Sequence, residues 1–242
     1  MILTNEQLIT LHTHISGGPL KTASIVIFGN ELGTAETGDP ETAVLKLIND
    51  WNNNVRIGIL PIKSVFLQFI SRFACAVKYK TDKFFDSPMG VEHFVHIHHM
   101  LYELYKTDTA VINLRPLPQS TENHWHYENI SKKDYYKHYN FCLSRSSNDS
   151  WSDLRVQSLR SGFESLSPTA LILGSGDRHN KKCFLQKIYP DIEFLTVNLK
   201  STEIYVAKSP KIILANYFSY RNGIKLQGLK EIYEYTLQEN MV

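Results

Sequence analysis

Cysteine is scarce in this chain, with only Cys75, Cys142 and Cys183 among 242 residues. They are far apart, odd in number and show no metal-binding spacing. No cysteine framework can be read from them, and the pattern fits a reducing compartment. Long apolar runs are missing too. The longest candidate, "IKSVFLQFISRFACAV", carries Lys63, Gln68 and Arg72, which argues against a membrane span. The N-terminal "MILTNEQLITLHTHISGG" has polar and acidic residues where a signal peptide needs a basic start and an unbroken apolar core. A soluble, cytoplasmic protein with no membrane partner is therefore expected. Charge of one sign is also lacking. With 26 Lys+Arg against 24 Asp+Glu the formal charge is +2, which neither demands nor excludes a nucleic-acid partner. No internal repeat, low-complexity tract or linker stands out.

What is present is enough apolar material for one large core, at 43% hydrophobic content. Residues 1–242 read as a single α/β domain with a short N-terminal helical arm. The runs "TASIVIFG", "TAVINL", "TALILG" and "KIILAN" have the β-branched and aliphatic make-up of buried strands, over 24–28, 109–113, 170–173 and 211–215. Between them lie helix-capable stretches. "DPETAVLKLINDW" has Asp39 as a cap and Pro40 at its first position, and "SDLRVQSLRSGFESLSP" is amphipathic until Pro168 stops it. "IEFLTVNL" and "EIYVA" read as short or edge strands. Aliphatic strands alternating with helices predict a three-layer α/β/α sandwich around a central parallel sheet. The long connection between the first two strands places the expected switch point near their ends.

Three loops leave carboxyl ends of these strands: "GNELG", "NLRP" and "NYFSYR". Open α/β sheets put their sites at such ends. Neither "GNELGTAETGDP" nor "GSGDRHNKK" is a standard phosphate loop, since the third glycine of a dinucleotide fold and the Gly-Lys-Ser/Thr ending are both missing. Gly29 and Gly33 would still let backbone approach a ligand closely, with Asn30 and Glu31 offering polar groups. Asn113 could cap its strand or face a ligand. Arg115 and Arg221 could meet phosphate or pair on the surface, and Ser219 could donate to phosphate or cap a turn.

The order of these pieces resembles the uracil-DNA glycosylase superfamily. "GNELGTAETGDP" stands where the family's first motif follows the first strand. Asn113, Arg115 and Pro116 in "INLRPLP" match an asparagine that ends the second strand before a proline-rich segment. "LRSGFESLSPTALILGSG" matches the helix, proline and glycine-ended strand, and "YFSYRNG" falls at the final His-Pro-Ser motif. The resemblance spans Ser24 to Leu237 and implies that a damaged base, flipped out of DNA, enters a pocket at the strand ends. It implies Asn30 or Glu31 beside the attacking water and Asn113 on the base edge, with Gly29, Gly33 and Phe218 around the base. It places Arg115, Ser219 and Arg221 near phosphate. The departures are Leu32 for the usual proline, Tyr217 for histidine and Phe218 for proline. A neutral phenol gives a departing base anion less help than an imidazolium would.

The expected partner is thus DNA or a nucleobase-containing ligand, with no cofactor. Hydrolysis of an N-glycosidic bond stands beside two alternatives: a non-catalytic nucleic-acid-binding or regulatory protein, and an α/β enzyme acting on a small nucleotide. In "EHFVHIHH", Glu92, His96, His99 and Glu103 share one helical stripe. A solvated polar face is the favoured reading there over a metal site.

Overall fold

A computed structural model of the chain describes residues 1–17, 20–30, 40–52, 65–86, 109–118, 125–143, 150–217 and 224–242. The expected helix carrying Glu92, His96, His99 and Glu103 lies outside them. The elements in chain order begin with α1 (Asn5–Thr13), β1 (Ser16–Gly17), β2 (Ile25–Gly29), α2 (Pro40–Asn52), α3 (Val65–Tyr79), α4 (Lys83–Asp86) and β3 (Thr109–Asn113). They continue with α5 (Lys132–His138), α6 (Ser150–Glu164), β4 (Leu171–Ser175), α7 (Arg178–Ile188), β5 (Leu195–Asn198), β6 (Glu203–Lys208), β7 (Lys211–Ala215) and α8 (Leu226–Gln238).

The strands form one sheet in the order β1-β3-β2-β4-β7-β6-β5. β3, β2, β4 and β7 pair in parallel, as the four aliphatic runs predict. Every residue of β2 and β4 is buried, because helices cover both faces of this block and leave no polar side to alternate with. β6 and β5 extend it antiparallel. Edge strand β5 is mostly exposed, as its mixed sequence suggests. The two-residue β1, within a glycine-rich breaker, pairs antiparallel with β3 and has no signal in the sequence.

One correction concerns topology. β2 lies between β3 and β4, so the chain crosses from one side of β2 to the other between its second and third parallel strands. The switch point therefore lies between β2 and β4, the first and third of these strands, and not at the ends of the first two. Connection length does not reveal which side of β2 the third strand joins.

Two apolar layers flank the sheet. On one face Ile25, Ile27, Val111, Leu173 and Ile213 meet Phe69, Ile70 and Phe73 of α3, Phe85 of α4, and Leu229 and Ile232 of α8. On the other, Val26, Phe28, Ile112, Ile172 and Leu214 meet Leu8 and Leu11 of α1, Val44 and Ile48 of α2, Leu159 and Phe163 of α6, and Phe184 and Leu185 of α7. The N-terminal helix belongs to this second layer. Its capping box joins Thr4 and Gln7, and Leu8, Leu11 and His12 are buried along one side.

Candidate functional site at the carboxyl edge of the parallel strands

Gly29 and Asn113 end β2 and β3 and face each other in register. A Cβ at residue 29 would collide with the side-chain oxygen of Asn113, so glycine here is what lets that amide lie across the end of β2. Side-chain alternation puts Gly29 and Asn113 on the α3/α8 face, together with Ser175 and Ala215, which pair at the ends of β4 and β7. A row of small and polar residues thus crosses the carboxyl edge. Within it the Ser175 hydroxyl is buried and has no hydrogen-bond partner among the described residues.

Asn113 is anchored from behind by Arg155. This guanidinium, 2% exposed, donates to the backbone carbonyls of Asn113, Leu114, His12 and His14. The last two lie at the carboxyl end of α1, where the helix dipole favours a cation. Burial lowers the Arg155 pKa to about 10, still far above neutrality, so the charge persists. Burial, reinforced by the Arg155 charge, lowers the His14 pKa to about 3 and keeps that imidazole neutral.

At the switch point the loops after β2 and β4 are tied together. Asn30 accepts through its side-chain oxygen from the Lys181 ammonium and from the backbone N–H of Asp177, the latter at 3.3 Å. Lys181, on the first turn of α7 and fully buried, also donates to the Ser175 carbonyl at 2.8 Å. Gly176 has φ +102°, and a Cβ there would strike the Asn30 side chain. Asp177 caps α7 by accepting from the Asn180 N–H. It also pairs with Arg115 at 3.4 Å, while the Arg115 guanidinium lies 4.7 Å from the Tyr136 ring centre. The Arg115 backbone N–H donates to the Asn30 carbonyl at 2.7 Å.

Of the residues expected from sequence, Gly29, Asn30, Asn113 and Arg115 therefore converge on the ends of β2 and β3. Two of them are already engaged by other protein groups. Both acceptor positions of the Asn30 oxygen are engaged by protein, and its Nδ2 is the end with no hydrogen bond among the described residues. Arg115 takes the ion-pair alternative, with Asp177, and its side chain is largely buried. Tyr217 follows β7 at the same edge, 54% exposed, and its carbonyl accepts from the Ile224 N–H at 2.9 Å. β2 and β4 separate it from Asn113, a lateral distance of about 14 Å at ordinary strand spacing. Glu31, Gly33, Phe218, Ser219 and Arg221 lie outside the described residues.

Arg155, Ser175, Asp177 and Lys181 were not anticipated. Two of them left a trace. Arg155 sits on the buried stripe Ser152–Arg155–Leu159–Phe163, and Lys181 on Lys181–Leu185–Ile188. A cation at an inward helical position should have drawn attention, since Lys and Arg are seldom fully buried without partners.

The cysteines need a further correction. Cys142 and Cys183, 41 residues apart, form a disulfide, and Cys75 is a buried free thiol. Sequence distance hid the pairing because the 139–143 segment folds back over the start of α7. Among the described residues no helix is long and apolar enough to cross a membrane. The chain matches no family model, no curated protein and no solved structure in the comparisons made.

Proposed function

We propose that the carboxyl edge of the parallel strands binds a nucleobase-containing ligand. In this reading the chain is a divergent uracil-DNA glycosylase-like protein that receives a flipped or damaged DNA base. The observation that carries it is Asn113, whose side-chain amide lies across Gly29 while Arg155 holds its backbone carbonyl from beneath. A carboxamide at this position offers an NH2 donor and an oxygen acceptor side by side, the pairing that reading a Watson–Crick edge requires. The unpartnered Ser175 hydroxyl on the same row supplies a further polar group that bound ligand would satisfy. In hydrolysis of the N-glycosidic bond, the Asn30 Nδ2 or Glu31 would orient water. Lys181, beneath Asn30, would add positive potential toward the departing base anion. Phe218 would stack on the base, with Ser219 and Arg221 toward phosphate.

Two observations favour other readings of the same strand-end edge. The formal charge of only +2 leaves a small nucleotide as open as a duplex, and Tyr217 in place of a histidine favours binding without cleavage. One set of measurements separates them. Duplexes carrying uracil, hypoxanthine, xanthine, alkylated bases or an abasic site are assayed for binding and for cleavage, beside free nucleosides and nucleotides. Base-dependent binding that Asn113→Ala weakens about 10- to 100-fold, with non-specific duplex binding kept, supports the base pocket. Equal binding to base-containing and abasic ligands by the wild type rejects it.

A further inference from the structure

Cys142, His179 and Cys183 lie together on α7 and the segment after α5. Their ligand atoms, two Sγ and one imidazole nitrogen, all fall within 4.8 Å of one another. His179 and Cys183 are four residues apart on α7, so they project from the same side of successive turns. Cys142 comes from the segment after α5, and its Sγ lies 3.4 Å from the His179 carbonyl. The scaffold does not depend on the disulfide. Asn180, buried beside His179, accepts from the Phe141 N–H at 2.6 Å and donates to the Tyr139 carbonyl at 2.8 Å. These bonds hold the 139–141 backbone against α7 whether or not the sulfurs are joined.

We propose that Cys142, His179 and Cys183 are a redox-gated binding site for a soft divalent cation of the zinc type. When oxidised, the two sulfurs are spent on each other and the site is closed. A dithiol reductant opens it by thiol–disulfide exchange. The reductant becomes a disulfide, and its two hydrogens leave as the thiol protons of Cys142 and Cys183. On metal binding both thiols release a proton, and two thiolates with one neutral imidazole occupy three tetrahedral positions, leaving the fourth to solvent. Metal–sulfur bonds of about 2.3 Å and metal–nitrogen bonds of about 2.0 Å place tetrahedral donors roughly 3.5–3.8 Å apart, within reach by side-chain rotation alone. Helix α7 also carries Asp177 and Lys181, so the site sits on the element that organises the switch point.

The test is cobalt titration of the intact protein after dithiol reduction and removal of the reductant, with thiols counted beforehand. The expected result is one equivalent of cobalt giving thiolate charge-transfer and tetrahedral d–d absorption that zinc abolishes. The oxidised protein, which needs no mutation and keeps its fold, should give none. Cys142→Ser and Cys183→Ser should each lose the charge-transfer band, and Cys75→Ser should keep it. His179→Ala should weaken binding at least as much as the roughly tenfold that losing an outer partner costs. A reduced, folded wild type with both thiols counted and no cobalt–thiolate band would overturn the proposal. So would a band that survives Cys142→Ser and Cys183→Ser combined.

Discussion

The two layers that flank the sheet are built from similar apolar side chains yet differ in what else they bury. The α3/α8 layer closes on Phe69, Phe73, Leu229 and Ile232, and among the described residues its one fully buried cation, Arg72 of α3, donates to the Phe84 carbonyl of α4 and not to a strand end. The layer of α1, α2, α6 and α7 contains the fully buried Lys181 and the nearly buried Arg155, each reaching to a strand end. Burying a cation is costly unless its donors are satisfied, and both are supplied with carbonyl oxygens. An apolar layer can be thinned gradually, whereas a guanidinium serving four carbonyls is needed whole. The comparison suggests that one layer mainly stabilises the sheet while the other also fixes the geometry of its carboxyl edge.

Substitutions that treat the layers alike should therefore have unlike effects. Arg155→Ala should be the most damaging, lowering the unfolding free energy by about 3–5 kcal/mol in denaturant titration, since it strands buried carbonyls and opens a cavity. Arg155→Lys should recover only part of this, because an ammonium cannot reproduce the spread of a guanidinium fork. Lys181→Met keeps the length but leaves the Asn30 oxygen and the Ser175 carbonyl without that donor, for about 1–3 kcal/mol. If Lys181→Met instead raised stability and left ligand binding intact, Lys181 would not be holding the edge.

Acid should expose the same asymmetry. His14 is neutral in the folded chain with a pKa of about 3, against 6.5 ordinarily. The unfolded chain binds the extra proton in that window, so stability falls as pH drops from about 6.5 toward 3. His14 contributes at most about 1.4 kcal/mol per pH unit to that fall, and His14→Asn should flatten this part of the profile. In the α3/α8 layer, Phe73→Leu should cost about 1 kcal/mol, with unchanged pH dependence and ligand binding. Smallest of all, Lys208→Ala removes an exposed pair with Glu239 and should leave the thermal midpoint unmoved. A clear shift there would mean that surface ion pairs matter more in this chain than their exposure suggests.

The sequence by itself determined the four parallel strands. Ile25–Phe28, Ala110–Ile112, Leu171–Leu173 and Ile212–Leu214 are aliphatic on both faces, and such runs are stable only when covered on both sides. It also placed Gly29, Asn30 and Asn113 at strand ends, where a change from apolar to polar residues marks the carboxyl edge. Only tertiary structure decided which ends are neighbours. The third parallel strand joins β2 on the side away from β3, so Asn30 meets Lys181 from 151 residues away, while Tyr217 is set beyond β4. The Cys142–Cys183 pairing was hidden for the same reason. Local pattern reports how each residue is solvated, but strand order and long-range contacts come from how whole elements pack, and no short stretch of sequence contains that.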